Sequence, residues 1–153
     1  MVQDFQTEAA KFSDDVKILT TDLVPRMSSA CHVSDGSFEV PLINDDSYID
    51  SIFKLAVREN IGLIIPTIDT ELQKLADERE RFEAAGIHIV VSDSNFIAQC
   101  RDKRKTADLF ARYGIRSPKI YEREKLVFPC FAKPYDGSRA TAKIGRASCR
   151  ERV

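Results

Sequence analysis

Short apolar runs alternate with amphipathic stretches along most of this chain, and that alternation restricts what it can fold into more than composition does. Val2, Phe5, Ala9 and Phe12 recur at helical spacing and predict a helix over residues 2–12. Residues 16–21 then read as a strand ending in Asp22, and after a loop carrying Pro25 and Gly36 a short strand follows at 38–40, stopped by Pro41. Asp45, Asp46 and Ser47 offer caps for a helix whose apolar face runs through Tyr48, Ile49, Ile52, Phe53, Ala56 and Val57 until Asn60 and Gly62 end it. Leu63-Ile64-Ile65 is a strand cut off by Pro66. Thr70 and Gln73 have capping-box spacing at the head of a helix through Leu72, Leu75 and Phe82 to Gly86. Residues 87–91 form the next strand. Ser94 can cap a short helix through Phe96, Ile97 and Cys100, and Asp102 another through Leu109, Phe110 and Tyr113 to Gly114.

Strands separated by helices, several of them apolar on both faces, imply an α/β fold with a parallel sheet flanked by helices, with Ile18, Ile64 and Val90 as central buried positions. Right-handed crossovers place the loops after Asp22, Val40, Ile65 and Val91 along one edge, where open α/β sheets bind ligands. A doubly wound domain ordinarily opens on a strand. A helix comes first here, so a preceding strand is expected to be missing.

With 153 residues, 43% hydrophobic and 31% charged, the chain can bury one ordinary core. No apolar run approaches the length that spans a bilayer, and Met1 leads into an amphipathic, acidic segment, so a cytoplasmic protein without a membrane partner is expected. A net charge of −1 gives no reason to expect nucleic acid. Cys31, Cys100, Cys130 and Cys149 lie far apart with no CxxC pair, so they read as small hydrophobes rather than as a zinc site or a disulfide framework. His32 sits in a polar loop and His88 inside a strand, which makes them a surface and a core residue, and no set of metal ligands emerges. Gly36, Gly62, Gly86, Gly114 and Gly137 each punctuate a separate turn, leaving no dinucleotide fingerprint. Residues 143–153 have a basic bias and no apolar periodicity. They resemble the translated end of a sequencing adaptor, so they are expected to be a non-native tail that packs against nothing, and the remainder is mildly acidic.

The richest local signal is Phe128 to Ala140, reading FPCFAKPYDGSRA. An apolar run delivers Lys133 as a fixed cation at a strand's end, and Gly137 and Ser138 then let backbone N–H groups approach an anion. An ordinary type I turn at Tyr135-Asp136-Gly137-Ser138 fits the same letters. From Lys17 to Ala140 the chain is similar to ATP-grasp proteins of the carbamoyl-phosphate-synthase-like group. The resemblance is carried by Leu63-Ile64-Ile65-Pro66-Thr67-Ile68-Asp69-Thr70-Glu71-Leu72, by Cys100-Arg101-Asp102-Lys103-Arg104-Lys105-Thr106, by Phe131-Ala132-Lys133-Pro134-Tyr135-Asp136-Gly137-Ser138, and by the link Tyr113-Gly114-Ile115-Arg116-Ser117-Pro118.

That resemblance implies a Rossmann-like PreATP-grasp domain over residues 1–117 and the start of an ATP-grasp domain over 118–142, truncated before the latter is complete. It also implies a parent ligase that uses ATP and Mg2+ to activate a carboxylate substrate as an acyl phosphate for attack by an amine or related nucleophile. Lys133 matches the family's nucleotide-contacting lysine, Lys103 a second cation from the PreATP-grasp side, and Asp136, Gly137 and Ser138 the start of the phosphate-covering loop. The family more often has a longer Gly/Ser run where Arg139-Ala140-Thr141-Ala142 stand. Phosphoryl transfer asks for positioned positive charge, which suits two lysines. Lys103 also lies in the cluster Arg101, Lys103, Arg104, Lys105, a pattern equally suited to a solvated helix face. Asp69 and Glu71, in a loop after a buried strand, fit acid–base or magnesium work and fit helix-dipole acids equally well. The magnesium ligands are expected downstream, no catalytic residue is assigned, and the chain by itself is expected to be inactive. The alternative is a self-contained Rossmann-like module binding a nucleotide or sugar nucleotide without catalysis, although Thr20-Thr21-Asp22-Leu23 offers no glycine for a phosphate turn. An interaction domain without a small ligand comes third.

Overall fold

The computed structural model describes residues 1–13, 15–132, 134–135 and 144–147. Two compact units divide at Gly62 and Leu63. Both combine helices with a small parallel pair of strands, and the fold is α/β.

The first unit opens with α1 (Val2–Ala9), which ends earlier than the spacing of Phe12 suggests, followed by β1 (Leu19–Asp22). A 3-10 turn at Pro25–Met27 and a short α2 (Ser29–Val33) fill what the sequence offered only as a loop, and β2 (Gly36–Glu39) then pairs parallel to β1, Leu19 opposite Gly36 through Asp22 opposite Glu39. Asp35 ties these pieces together. Its carboxylate accepts the Ile18 amide at 2.7 Å and the Gln6 side-chain amide of α1 at 2.8 Å, while its own N–H donates to the Ile18 carbonyl. On α3 (Tyr48–Arg58), Tyr48, Ile52 and Ala56 recur every fourth residue and are buried, as the apolar stripe requires. Asp45, rather than Ser47, accepts at the head of this helix, taking the Ser47 amide and hydroxyl at 2.8 and 2.6 Å.

In the second unit β3 (Leu63–Ile64) pairs parallel to β4 (His88–Ile89), with α4 (Leu72–Asp77) and α5 (Arg79–Ala84) between them and α6 (Ser94–Arg101) and α7 (Lys103–Arg112) after. Phe82, Leu75, Ile87, Ile89 and Ile97 form its core. The expected central residues differ: Ile18 and Ile64 are half-buried, and Val90 is 50% exposed. The strand alternates instead of being apolar on both faces, so Ile87 and Ile89 point inward while His88 and Val90 face out, which also moves His88 from the expected core to the surface. Beyond α7, β5 (Cys130–Ala132) pairs antiparallel with β6 (Ile144–Ala147), Cys130 opposite Ala147, so part of the segment expected to pack against nothing is hydrogen-bonded along a strand.

Three helices end in the same way. Asn60, Gly86 and Gly114 take φ of 53°, 77° and 67°, and the following isoleucine amide reaches back to the carbonyl five residues earlier: Ile61 to Ala56, Ile87 to Phe82 and Ile115 to Phe110, at 2.9, 3.0 and 2.8 Å. These are Schellman closures, in which a left-handed residue lets the last turn satisfy its orphan carbonyls. Phe82, fully buried, is both the centre of the second core and the acceptor in one of these closures. Phe82→Ala should destabilise the chain by about 3 kcal/mol or more through the cavity it leaves, read from denaturant unfolding.

Candidate functional site

The loops leaving β3 and β4 are built by side chains that bond to backbone. Glu71, 8% exposed, turns its Oε1 back to accept the Thr67 and Ile68 amides at 2.9 and 3.0 Å, closing the loop after β3 ahead of a 3-10 turn at Asp69–Glu71. The Thr70–Gln73 capping box is therefore not the device used. Gln73 instead donates to the Ser94 hydroxyl at 2.6 Å and to Asp77 at 2.9 Å, and Ser94 in turn donates to Asp77. The loop after β4 is held by the Arg79 guanidinium, which donates to the Val91 and Ser92 carbonyls. Asp93 caps α6 through the Asn95 and Phe96 amides at 2.9 and 3.2 Å, one residue ahead of the expected Ser94.

Asp69 is engaged at the same edge. Arg101, in the last turn of α6, donates to its carbonyl at 3.0 Å and lies 3.4 Å from its carboxylate. Of the two acids left open between catalysis and structure, Glu71 thus has a backbone-holding task and Asp69 a cationic partner. Among the described residues no three His, Cys, Asp or Glu side chains converge as metal ligands.

One residue past Arg101 the chain turns into α7. Asp102 is the N-cap, as its sequence position predicts: its carboxylate accepts the Arg104 amide at 2.9 Å and the Arg104 guanidinium at 3.1 Å from Nε and 2.7 Å from the terminal nitrogen. The Arg104 guanidinium, foremost through that hydrogen bond, holds the Asp102 carboxyl well below the usual carboxylate range. The Thr106 hydroxyl points back at the carbonyls of Gln99, Cys100 and Asp102 and fixes the corner between the two helices.

Lys103, the first residue of α7, meets the chain again 32 residues on. Its backbone N–H donates to the Tyr135 carbonyl at 2.9 Å, its ammonium reaches the same oxygen at 3.2 Å, and the Arg104 guanidinium carbon stands 4.1 Å from the centre of the Tyr135 ring. Two segments that carried the ATP-grasp resemblance, around Lys103 and around Pro134-Tyr135, are thereby brought into contact. Lys133, Asp136, Gly137 and Ser138 lie outside the described residues. Sequence reasoning passed over Arg104 and Tyr135. The available signal was an aromatic ring directly after Lys-Pro, together with a basic cluster able to supply its cationic partner.

A family model described as PylC-like, N-terminal domain, matches residues 1–90. No curated protein matches the chain. Among solved structures the chain is similar to a pyruvate carboxylase variant of Rhizobium etli, solved with the allosteric activator acetyl coenzyme-A, at 13% sequence identity and a TM-score of 0.64. The match covers 97% of this chain and 14% of that one, and at this identity the similarity is one of fold alone. Among the described residues no helix is long and apolar enough to cross a membrane.

Two measurements check this geometry. Because the folded-state pKa of Asp102 is depressed, whatever the cap contributes is present above the ordinary value near ~3.9 and is lost only as pH falls through the depressed one. Carboxyl NMR should therefore find the Asp102 titration midpoint below that of an ordinary aspartate, and Arg104→Met should return it toward the ordinary range. Glu71→Ala, which strands two loop amides, should cost about 1–3 kcal/mol in unfolding free energy.

Proposed function

We propose, from the premise that this chain belongs to the PylC-like N-terminal domain family, that it forms the nucleotide-facing part of an ATP-dependent ligase of the ATP-grasp type. In this reading residues 1–117 are the PreATP-grasp domain, 118–142 open the ATP-grasp domain, and 143–153 are a non-native tail. The parent activates a carboxylate as an acyl phosphate at the expense of ATP and passes it to an amine or a related nucleophile. Its motifs resemble those of the carbamoyl-phosphate-synthase-like group.

The observation that carries the reading is the placement of Lys103. It stands at the amino end of α7, on the carbonyl of Tyr135, the residue that leads into Asp136-Gly137-Ser138. A helix N-terminus bearing a lysine favours anions through its dipole and a mobile charge. Lys133 is the second cation, with Asp136, Gly137 and Ser138 supplying the start of the phosphate-covering loop. Asp69 and Glu71 have the partners described above, so magnesium would draw its ligands from further along the parent, and ATP hydrolysis by this chain alone is not expected.

Calorimetry tests the proposal. The chain should bind ATP with a dissociation constant of about a millimolar or weaker, falling off steeply with added salt because exposed lysine charges supply most of the attraction. Lys103→Ala should weaken it further, and in the full-length parent Lys133→Ala should remove the tighter binding gained there. Micromolar, salt-insensitive binding by this chain would favour the self-contained nucleotide module instead.

A further inference from the structure

We propose that Tyr135 is a positioning residue for the Lys103 ammonium, working through its own carbonyl and held in place by the Arg104 guanidinium over its ring. The inference rests on the nucleotide reading of Lys103 and adds residues that the motif match left without a role.

The first amides of a helix have no intrahelical acceptor. At α7 the Lys103 amide finds one in the Tyr135 carbonyl at 2.9 Å, and the lysine ammonium finds the same oxygen at 3.2 Å. The two bonds have different futures when an anion arrives. A phosphate oxygen carries charge and outcompetes a neutral carbonyl for an ammonium, so the side chain can leave while the backbone bond stays. Tyr135 thus gives the ammonium a resting acceptor within a short rotation of the helix N-terminus.

What fixes the carbonyl is the ring beside it. Tyr135 is more than half exposed, so apolar burial alone does not hold it, but the Arg104 guanidinium lies 4.1 Å from its ring centre. Arg104 is itself oriented by the two-pronged contact with Asp102, at 3.1 and 2.7 Å. Asp102 orients Arg104, Arg104 holds the Tyr135 ring, and the Tyr135 carbonyl sets Lys103. The stacking needs the ring and not its hydroxyl, which makes phenylalanine a conservative replacement and leucine a disruptive one.

The test uses the whole chain and two NMR readings: the water-exchange rate of the Lys103 amide, and the response of amide shifts to MgATP. Tyr135→Leu and Arg104→Met should speed Lys103 amide exchange about threefold to tenfold and weaken MgATP binding about threefold to fivefold. Tyr135→Phe should keep both at wild-type values, as should Lys105→Met for the amide. Unchanged shifts for the amides of α4 and α5 keep the variants readable as folded. Lys103 exchange unaltered in Tyr135→Leu overturns the arrangement, and faster exchange with unaltered MgATP affinity overturns the positioning role. If the wild-type chain gives no response to MgATP, the nucleotide reading falls, while the amide comparison still upholds or overturns the hold of Tyr135 on Lys103.

Discussion

Everything at the candidate edge depends on side chains that bond to backbone where the sheet runs out. β3 and β4 share only two residue pairs, Leu63 with His88 and Ile64 with Ile89, extended by the Val90 amide on the Ile64 carbonyl. A ladder so short cannot satisfy the amides and carbonyls of the loops that leave it, and unpaired backbone groups are costly wherever water is excluded. Glu71 takes two of those amides, Arg79 two of the carbonyls, Arg101 the Asp69 carbonyl, and Asp93 the first amides of α6. Four charged side chains thereby do for this edge what a longer sheet would do by itself.

The same economy extends into α7. Asp102 caps the helix and orients Arg104 with one carboxylate, and Lys103 gives both its amide and its ammonium to a single oxygen. Charge is concentrated at the helix's amino end with both signs present, and Arg104 is directed by the Asp102 carboxylate while the Lys103 ammonium turns to a carbonyl. A cluster that looks in sequence like a solvated face is, at Arg101, Lys103 and Arg104, a set of three differently directed cations.

How much of this could be read from the letters follows from how local each cause is. The order of helices and strands was legible, because amphipathic spacing and the stops at Asn60, Gly86 and Gly114 act within a few residues. Asp102 was legible as a cap for the same reason. Asp45 was among three cap candidates offered together and Asp93 was missed by one position, since Asp and Ser compete for the same amides and only geometry decides. Strand burial was misjudged at Val90 because a run of apolar letters does not reveal that only every second one turns inward. Asp69 with Arg101 and Tyr135 with Lys103 each join residues 32 apart in sequence, and nothing local announces such pairs.

The three Schellman closures bear on how such a chain can change length. At Asn60, Gly86 and Gly114 the path out of a helix is fixed within two residues by a reversed backbone angle and a bond to an acceptor five residues back. A residue inserted into any of these corners would displace the isoleucine from its acceptor and leave the last carbonyls of the helix unpaired. The opposite ends of the strands, by contrast, are spanned by loops whose shape is set by individual side chains and can be redrawn one contact at a time. Variation in length among relatives should therefore accumulate in those loops, leaving the spacing at each helix exit almost invariant, so that the same helices can carry different chemistries beside them.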